Sequence, residues 1–313
     1  MTQAAAQSSA SATADVIVVG AGPAGSSAAY HMATLGLDVI LLEKQELGRD
    51  KVCGDGLTPS AVRELVSMGV DTTGWQRNRG LRVIGGGHLL HFPWPEQASF
   101  PSYGMARPRA LLDRDLAEHA AAAGARLLTG VTVTGPVTSP TGRVTGVEAR
   151  PTNRVAYPGI EGPTTFTAPL VVDAGGVSAR LATAVGRTKN ERRPMGVAVR
   201  AYFRSPRAQD AWMESRLELW DGTPGKSDLL PGYGWIWSVG EGLVNVGLGS
   251  VSSRAQATAI DYRAVFNRWM DNVPASWGFT KENQVGGLVS AALPMAFNRK
   301  PHYADGLMLL GDA

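Results

Sequence analysis

Apolar residues follow two different patterns along this chain. Near the amino end they are unbroken: Val16-Ile17-Val18-Val19 and Val39-Ile40-Leu41-Leu42 leave no polar face, which predicts strands buried on both sides in a parallel sheet. Between them, from Pro23 to about Leu35, the chain is Ala-rich and reads as a helix. Gly306-Leu307-Met308-Leu309-Leu310 predicts another buried strand. From Gly80 to Ser102 and from Met195 to Ala292 the pattern alternates instead. Leu81-Arg82-Val83-Ile84, Val197 to Tyr202, Leu217-Glu218-Leu219-Trp220 and Leu243 to Leu248 predict antiparallel strands with one covered face. A helix is expected from about Pro108 to Ala123, strands over 126–137 and 143–150, and a strand with a following helix over 170–186. The fold class is α/β (α+β overall), a parallel-sheet lobe interleaved with an antiparallel-sheet lobe.

The first strand runs directly into Gly20-Ala21-Gly22-Pro23-Ala24-Gly25. Gly20 permits a tight turn, Gly22 lets backbone approach a pyrophosphate, and Gly25 lets the helix pack close to the strand. Pro23 suits the first helical turn, whose amino end points partial positive charge at phosphate. The second strand ends on Glu43, 23 residues after Gly20, where a carboxylate accepts ribose hydroxyls and repels a 2′-phosphate. Strand, glycines, helix, second strand and acid in register predict a dinucleotide site. Gly311-Asp312, directly after the last apolar run, adds an Asp of the kind that holds a ribityl hydroxyl, so the expected ligand is FAD.

The chain has 313 residues, 44% hydrophobic and 18% charged, the composition of an ordinary globular protein with room for two lobes. A net charge of +3 is too small to argue for nucleic acid. The single cysteine, Cys53, excludes an internal disulfide and fits a reducing cytosol. After Met1, residues 2–14 are Ala, Ser, Thr and Gln without a basic start, and 1–14 read as a disordered tail. No apolar run approaches the length of a membrane span. His88 and His91 lack metal-ligand spacing, and no metal is expected. Arg192-Arg193 reads as a solvated turn.

The segment from Arg49 through Cys53-Gly54-Asp55-Gly56 to Thr58-Pro59 is a constrained loop leading into an amphipathic helix that carries Val62, Leu65 and Val66. Together with Pro231-Gly232-Tyr233-Gly234-Trp235-Ile236-Trp237 and Leu293-Pro294-Met295, it resembles the geranylgeranyl reductase family of FAD-dependent oxidoreductases, within it most nearly the actinobacterial menaquinone reductases. The resemblance covers nearly the whole chain from Asp15. It implies a Rossmann-like FAD-binding domain (15–79, 103–190 and 296–313) with an interleaved substrate-binding domain (80–102 and 191–295), p-hydroxybenzoate-hydroxylase-like in architecture. It further implies cofactor contacts at Gly20, Gly22, Pro23, Ala24, Gly25, Glu43, Lys44, Arg49, Cys53, Gly54, Arg109 and Asp312. Cys53 is the candidate catalytic group beside the flavin, and Tyr233, Trp235 and Trp237 line the isoprenoid cavity.

Two departures from the family pattern stand out. Asp173-Ala174-Gly175-Gly176 has Gly175 where the family carries an Asp, so the carboxylate's contacts fall to Asp173 if the turn is shifted. Family members also continue past Gly-Asp-Ala, so the chain reads as truncated at its carboxyl end, with a flavin site open on one side and weak FAD binding. By type alone Cys53 is also a buried small hydrophobe, and the three aromatics, at alternate positions on one strand face, also suit a core cluster. The expected reaction is reduction of an isoprenoid double bond of a prenylated lipid by hydride from reduced flavin. The electron donor is a nicotinamide or a protein carrier. The expected setting is the cytoplasm, with contact at the inner face of the cell membrane admitted by the lipid substrate. A flavin-dependent aromatic monooxygenase and an inactive truncated fragment are the alternatives.

Overall fold

The computed structural model describes residues 10–152, 162–190, 193–252, 260–294 and 299–313. The first nine residues of the expected tail, Arg192 and Met295 lie outside the described residues. By its contacts the chain divides into two compact units: 1–49, 112–190 and 296–313; and 50–111 with 191–295. Residues 50–79 and 103–111, read above with the flavin lobe, make their contacts in the second unit.

The first unit is built on a six-stranded sheet in the order Tyr303–Ala304, Leu307–Leu309, Leu170–Asp173, Val16–Val19, Val39–Leu42 and Arg126–Leu128. All neighbours are parallel except the Tyr303–Ala304 edge. The runs at 16–19 and 39–42 are unbroken because both faces are covered, each taking alternate residues, whereas the strand expected at 306–310 to be buried exposes Met308, beside the short edge strand Tyr303–Ala304. Ile17, Ile40 and Leu42 pack against Val131, Val144, Val147 and Phe166 of a second, four-stranded sheet. Val16, Val18, Val39 and Leu41 pack against Ala29 of the helix Pro23–Thr34 and Ala117 and Ala120 of the helix Arg109–Ala122.

The four-stranded sheet runs Ala10–Thr13, Thr164–Thr167, Val144–Pro151, Val131–Thr138, and its first strand corrects the expectation of a disordered tail through residue 14. Ala10–Thr13 pairs in parallel with Thr164–Thr167, and Ala12 packs on the apolar cluster. Small residues suffice for an edge strand, since the ladder bonds are backbone bonds and composition does not reveal them.

The second unit holds a seven-stranded sheet in the order Gln284–Pro294, Met195–Arg204, Leu243–Ser252, Gly232–Gly240, Trp212–Arg216, Gly80–Gly85 and His88–Pro93. The expected antiparallel sheet is a mixed one, because Trp212–Arg216 and Gly80–Gly85 pair in parallel. These strands are remote in sequence and no hairpin sets their direction. The strand expected at 217–220 is also displaced: strand pairing ends at Arg216, and Trp220 makes only an isolated bridge to Leu229. One sheet face is closed by the helix Tyr262–Met270, where Val199, Ala201, Ile236, Val244, Val246 and Leu248 pack on Val265, Phe266 and Trp269. A three-stranded sheet of Gly56–Leu57, Gly104–Ala106 and Gln76–Asn78 completes the unit. Beside it the helix Pro59–Ser67 buries Val62 and Leu65, while Val66 faces solvent.

Candidate functional site

In the first unit the sheet ends bring three segments together. Val19 lies level with Leu42 and Asp173 in the parallel ladder, and the chain turns at once, with the Gly20 amide donating to Leu42 O at 2.7 Å. Gly20 has φ +103, and a Cβ there would sit 2.6 Å from Ala174 O. At Gly25 a Cβ would sit 1.9 Å from Gly20 O, so a side chain at either position would force the turn apart. The helix that follows has Gly22 as N-cap, Pro23 in its first turn, no side-chain cap and no acid in that turn. Its first amides are therefore left for an anion, and the cradle fits a dinucleotide pyrophosphate.

Glu43 is buried at the end of its strand. One carboxylate oxygen accepts from the Ala21 amide and the other from the Gln45 amide, each at 3.0 Å. The carboxylate thus braces the glycine turn, and each oxygen keeps a lone pair for a ribose hydroxyl. Lys44 and Arg49 follow as exposed side chains, and Lys44 O accepts from Thr152 Oγ1 at 2.6 Å. At the far end of the chain Gly311 turns against the same helix, with its ideal Cβ 3.0 Å from the Ala24 Cβ. Asp312 is exposed next to it.

Asp173 proves to be an organising group. Its carboxylate accepts from the Gly175 amide at 2.9 Å and the Ala182 amide at 3.0 Å, closing the turn whose Ala174 limits Gly20. Burial raises its pKa, opposed by these two amides and Arg299. This carboxylate lies two residues before Gly175, at the end of the strand Leu170–Asp173.

The other candidate residues gather in the second unit. The turn Cys53-Gly54-Asp55-Gly56 lies against Trp237: a Cβ at Gly54 would fall 2.1 Å from the indole Cζ3, so only glycine admits the ring. Asp55 is 2% exposed and adopts φ 65, the left-handed region. Its Oδ2 accepts from Tyr202 Oη at 2.6 Å and Asn245 Nδ2 at 2.8 Å, and its Oδ1 from the Arg109 amide at 3.0 Å. Asn245 Nδ2 also donates to Cys53 O at 2.8 Å, while its Oδ1 accepts from Trp235 Nε1 at 2.9 Å. Arg200, buried beneath the Tyr202 ring at 4.2 Å, pairs with Asp50 and donates to Lys51 O. Burial pushes the Asp55 carboxyl up to about 6 against these donors and the Arg200 charge.

Tyr233, Trp235 and Trp237 form a ladder on the sheet face opposite the Tyr262–Met270 helix, with ring centroids 6.1 and 5.8 Å apart. Their surroundings differ. Tyr233 and Trp237 line an apolar cavity of about 410 Å³ together with Leu81, Val83, Met213 and Leu217. Trp235 is 5% exposed and held by Asn245. Burial, with Cys53 nearby, raises the Tyr233 phenol pKa. Tyr202, Asn245 and Asp55 meet only in the folded chain. The only local signal was an acid between two glycines.

A glycine turn on an uncapped helix, braced by an acid at the end of the second strand, defines a dinucleotide-binding fold. The FAD binding domain family matches residues 13–259, and the menaquinone reductase of Mycolicibacterium smegmatis is 38% identical over 304 residues, 96% of this chain and 70% of that protein. The chain belongs to the geranylgeranyl reductase family of FAD-dependent oxidoreductases, and FAD is its cofactor. Among solved structures, a geranylgeranyl bacteriochlorophyll reductase-like protein of Thermoplasma acidophilum matches with TM-score 0.76 at 23% identity, over 96% of this chain and 71% of that one. The myxobacterial chondrochloren halogenase, FAD-dependent, matches with TM-score 0.72 at 22% identity, over 96% and 68%. At such identities these two establish the fold. Among the described residues no helix is long and apolar enough to cross a membrane.

Proposed function

We propose that this protein saturates an isoprenoid double bond of a prenylated lipid, with the menaquinone side chain as the substrate. The observation that carries this reading is the apolar cavity lined by Tyr233, Trp237, Leu81, Val83, Met213 and Leu217. Its walls offer a hydrocarbon chain dispersion contact and few polar groups, and flat aromatics supply area with little rotamer entropy to lose. The menaquinone reductase relative supports the choice of lipid.

Reducing an isolated alkene needs a hydride on one carbon and a proton on the other. Bound FAD, once reduced, supplies the hydride that no side chain can. The chain's own residues bind, orient and exclude water. In this reading Gly20, Gly22, Pro23, Ala24, Gly25 and Glu43 hold the pyrophosphate and ribose, while Lys44, Arg49, Arg109 and Asp312 contribute cofactor contacts. Cys53 and Gly54 lie beside the reacting ring. Tyr233 and Trp237 grip the lipid, and Trp235 supports them from behind. Electrons come from a nicotinamide or a protein carrier, and the lipid is met at the cytoplasmic membrane surface.

The halogenase likeness favours a second reading, oxygen-dependent chemistry on an aromatic substrate. Anaerobic incubation of the flavin-loaded protein with menaquinone and a chemical reductant separates the two. The reductase reading expects a product heavier by two hydrogen atoms in the side chain. A product that forms only with oxygen, and carries it, would overturn that reading.

A further inference from the structure

The chain places an ionisable side chain in the left-handed region at Asp55, buries it, and surrounds it with donors from three separate elements. Tyr202 comes from the strand Met195–Arg204, Asn245 from the strand Leu243–Ser252, and the Arg109 amide from the start of the helix Arg109–Ala122. We propose that Asp55 is a positioning residue of the cavity: its carboxylate anchors the turn Cys53–Gly56 to the seven-stranded sheet and sets the wall that Gly56 and Thr58 present to a lipid. The proposal rests on the reading of that cavity as the isoprenoid pocket, while the anchoring itself stands without it.

The geometry leaves the turn little freedom. Asn245 is oriented at one end by Trp235 and grips Cys53 O and Asp55 at the other, so the turn is tied through both backbone and side chain. Trp237 covers Gly54 and also lines the cavity, so a shift of the turn moves a cavity wall. A left-handed residue without glycine's freedom carries a backbone cost that Asp tolerates better than most, and the anchoring bonds offset it.

Tyr202, Asn245 and the Arg109 amide all donate to the carboxylate, while burial opposes its charge. With the carboxyl raised to about 6, the closed turn holds the proton more tightly than an open, hydrated one, so acidification favours the closed turn, with one carboxyl oxygen turned donor. The charged and titratable groups around it are Tyr202, Arg200 with its partner Asp50, Cys53 and Lys51 in the same loop, Arg107, whose amide donates to Asp55 O, and Arg109. Arg200 favours the ionised form, as do the donors.

The test is amide hydrogen exchange of residues 50–57, read by mass spectrometry on the flavin-loaded full chain and corrected for intrinsic rates, with 16–19 as the control. Affinity for geranylgeraniol is measured in parallel. In the parent, protection of 50–57 should rise as pH drops through about 6. At neutral pH, Asp55→Gly should exchange about tenfold faster there and bind geranylgeraniol about tenfold more weakly, with 16–19 unchanged. Tyr202→Phe, a mild variant, should move the acid midpoint upward by removing one donor to the ionised form. Full protection and affinity in Asp55→Gly would overturn the proposal, since the acid would then serve only its backbone conformation. An unmoved midpoint in Tyr202→Phe would overturn it as well. If the exchange results hold but geranylgeraniol fails to bind even the parent, the anchoring is supported and the isoprenoid reading of the cavity fails.

Discussion

The glycine turn at 20–25 and the acid turn at 53–56 solve the same problem, holding backbone in a tight loop, by opposite means. At 20–25 the loop is held by what is absent: with no Cβ at Gly20 or Gly25, backbone packs on Ala174 and on the loop itself. One carboxylate, Glu43, braces it across two strands that are neighbours in both sequence and sheet. At 53–56 the loop is held by a buried charge whose partners lie 147 and 190 residues away. The first device tolerates no added atom at Gly20 or Gly25. The second keeps a titratable group out of water, so it responds to pH.

The strongest way to break this contrast is Gly25→Ala. The added methyl would lie 1.9 Å from Gly20 O, with only backbone to yield, and a cost of about 3 kcal/mol or more is expected. Purified variant should lack the flavin absorbance bands and melt well below the parent. A yellow, stable Gly25→Ala protein would show that the turn is looser than its geometry implies.

Asp55 should make stability pH-dependent in a definite direction. Its carboxyl rises from 3.8 to about 6 on folding, so the native state binds the proton more tightly than the unfolded chain does. The resulting contribution is fully present below about pH 4 and is lost as pH rises through about 6, up to about 3 kcal/mol. Urea unfolding of parent and Asp55→Asn at acid and neutral pH checks it, since the variant should lack this slope. Identical slopes in both proteins would refute the assignment.

Glu43→Ala should weaken FAD affinity by ~1.5–3 kcal/mol, the range of a hydrogen bond to a charged group. Fluorescence titration measures this, and equal affinity in parent and variant would count against Glu43 as a clamp. The smallest effect is expected for Trp235→Phe, which keeps a ring on the sheet but drops the bond to Asn245, at about 1 kcal/mol of stability. Flavin content should be unchanged, and loss of flavin would assign Trp235 to more than a supporting role.

Among the candidates, Tyr233, Trp235 and Trp237 show how far periodicity carries. Alternate spacing placed them on one face, and they share it. Which of them meets the cavity depends on Met213, Leu81 and Val83 from other strands, and no spacing within 231–237 encodes that. The tail shows the converse error: composition at 10–13 suggested disorder, while the partner that orders those residues, Thr164–Thr167, lies far along the chain.

By itself the sequence determined the parallel core, the glycine turn, the acid at 43 and, through them, a dinucleotide site. Each of these rests on contacts among residues close in sequence or on burial of an unbroken apolar run, so a short stretch of chain carries the whole signal. Only the tertiary structure decided the mixed pairing of the second sheet, the role of Asp173, and the meeting of Asp55 with Tyr202 and Asn245. Those depend on which distant strands become neighbours, and a polar residue reveals its partner only when burial forces the two to meet.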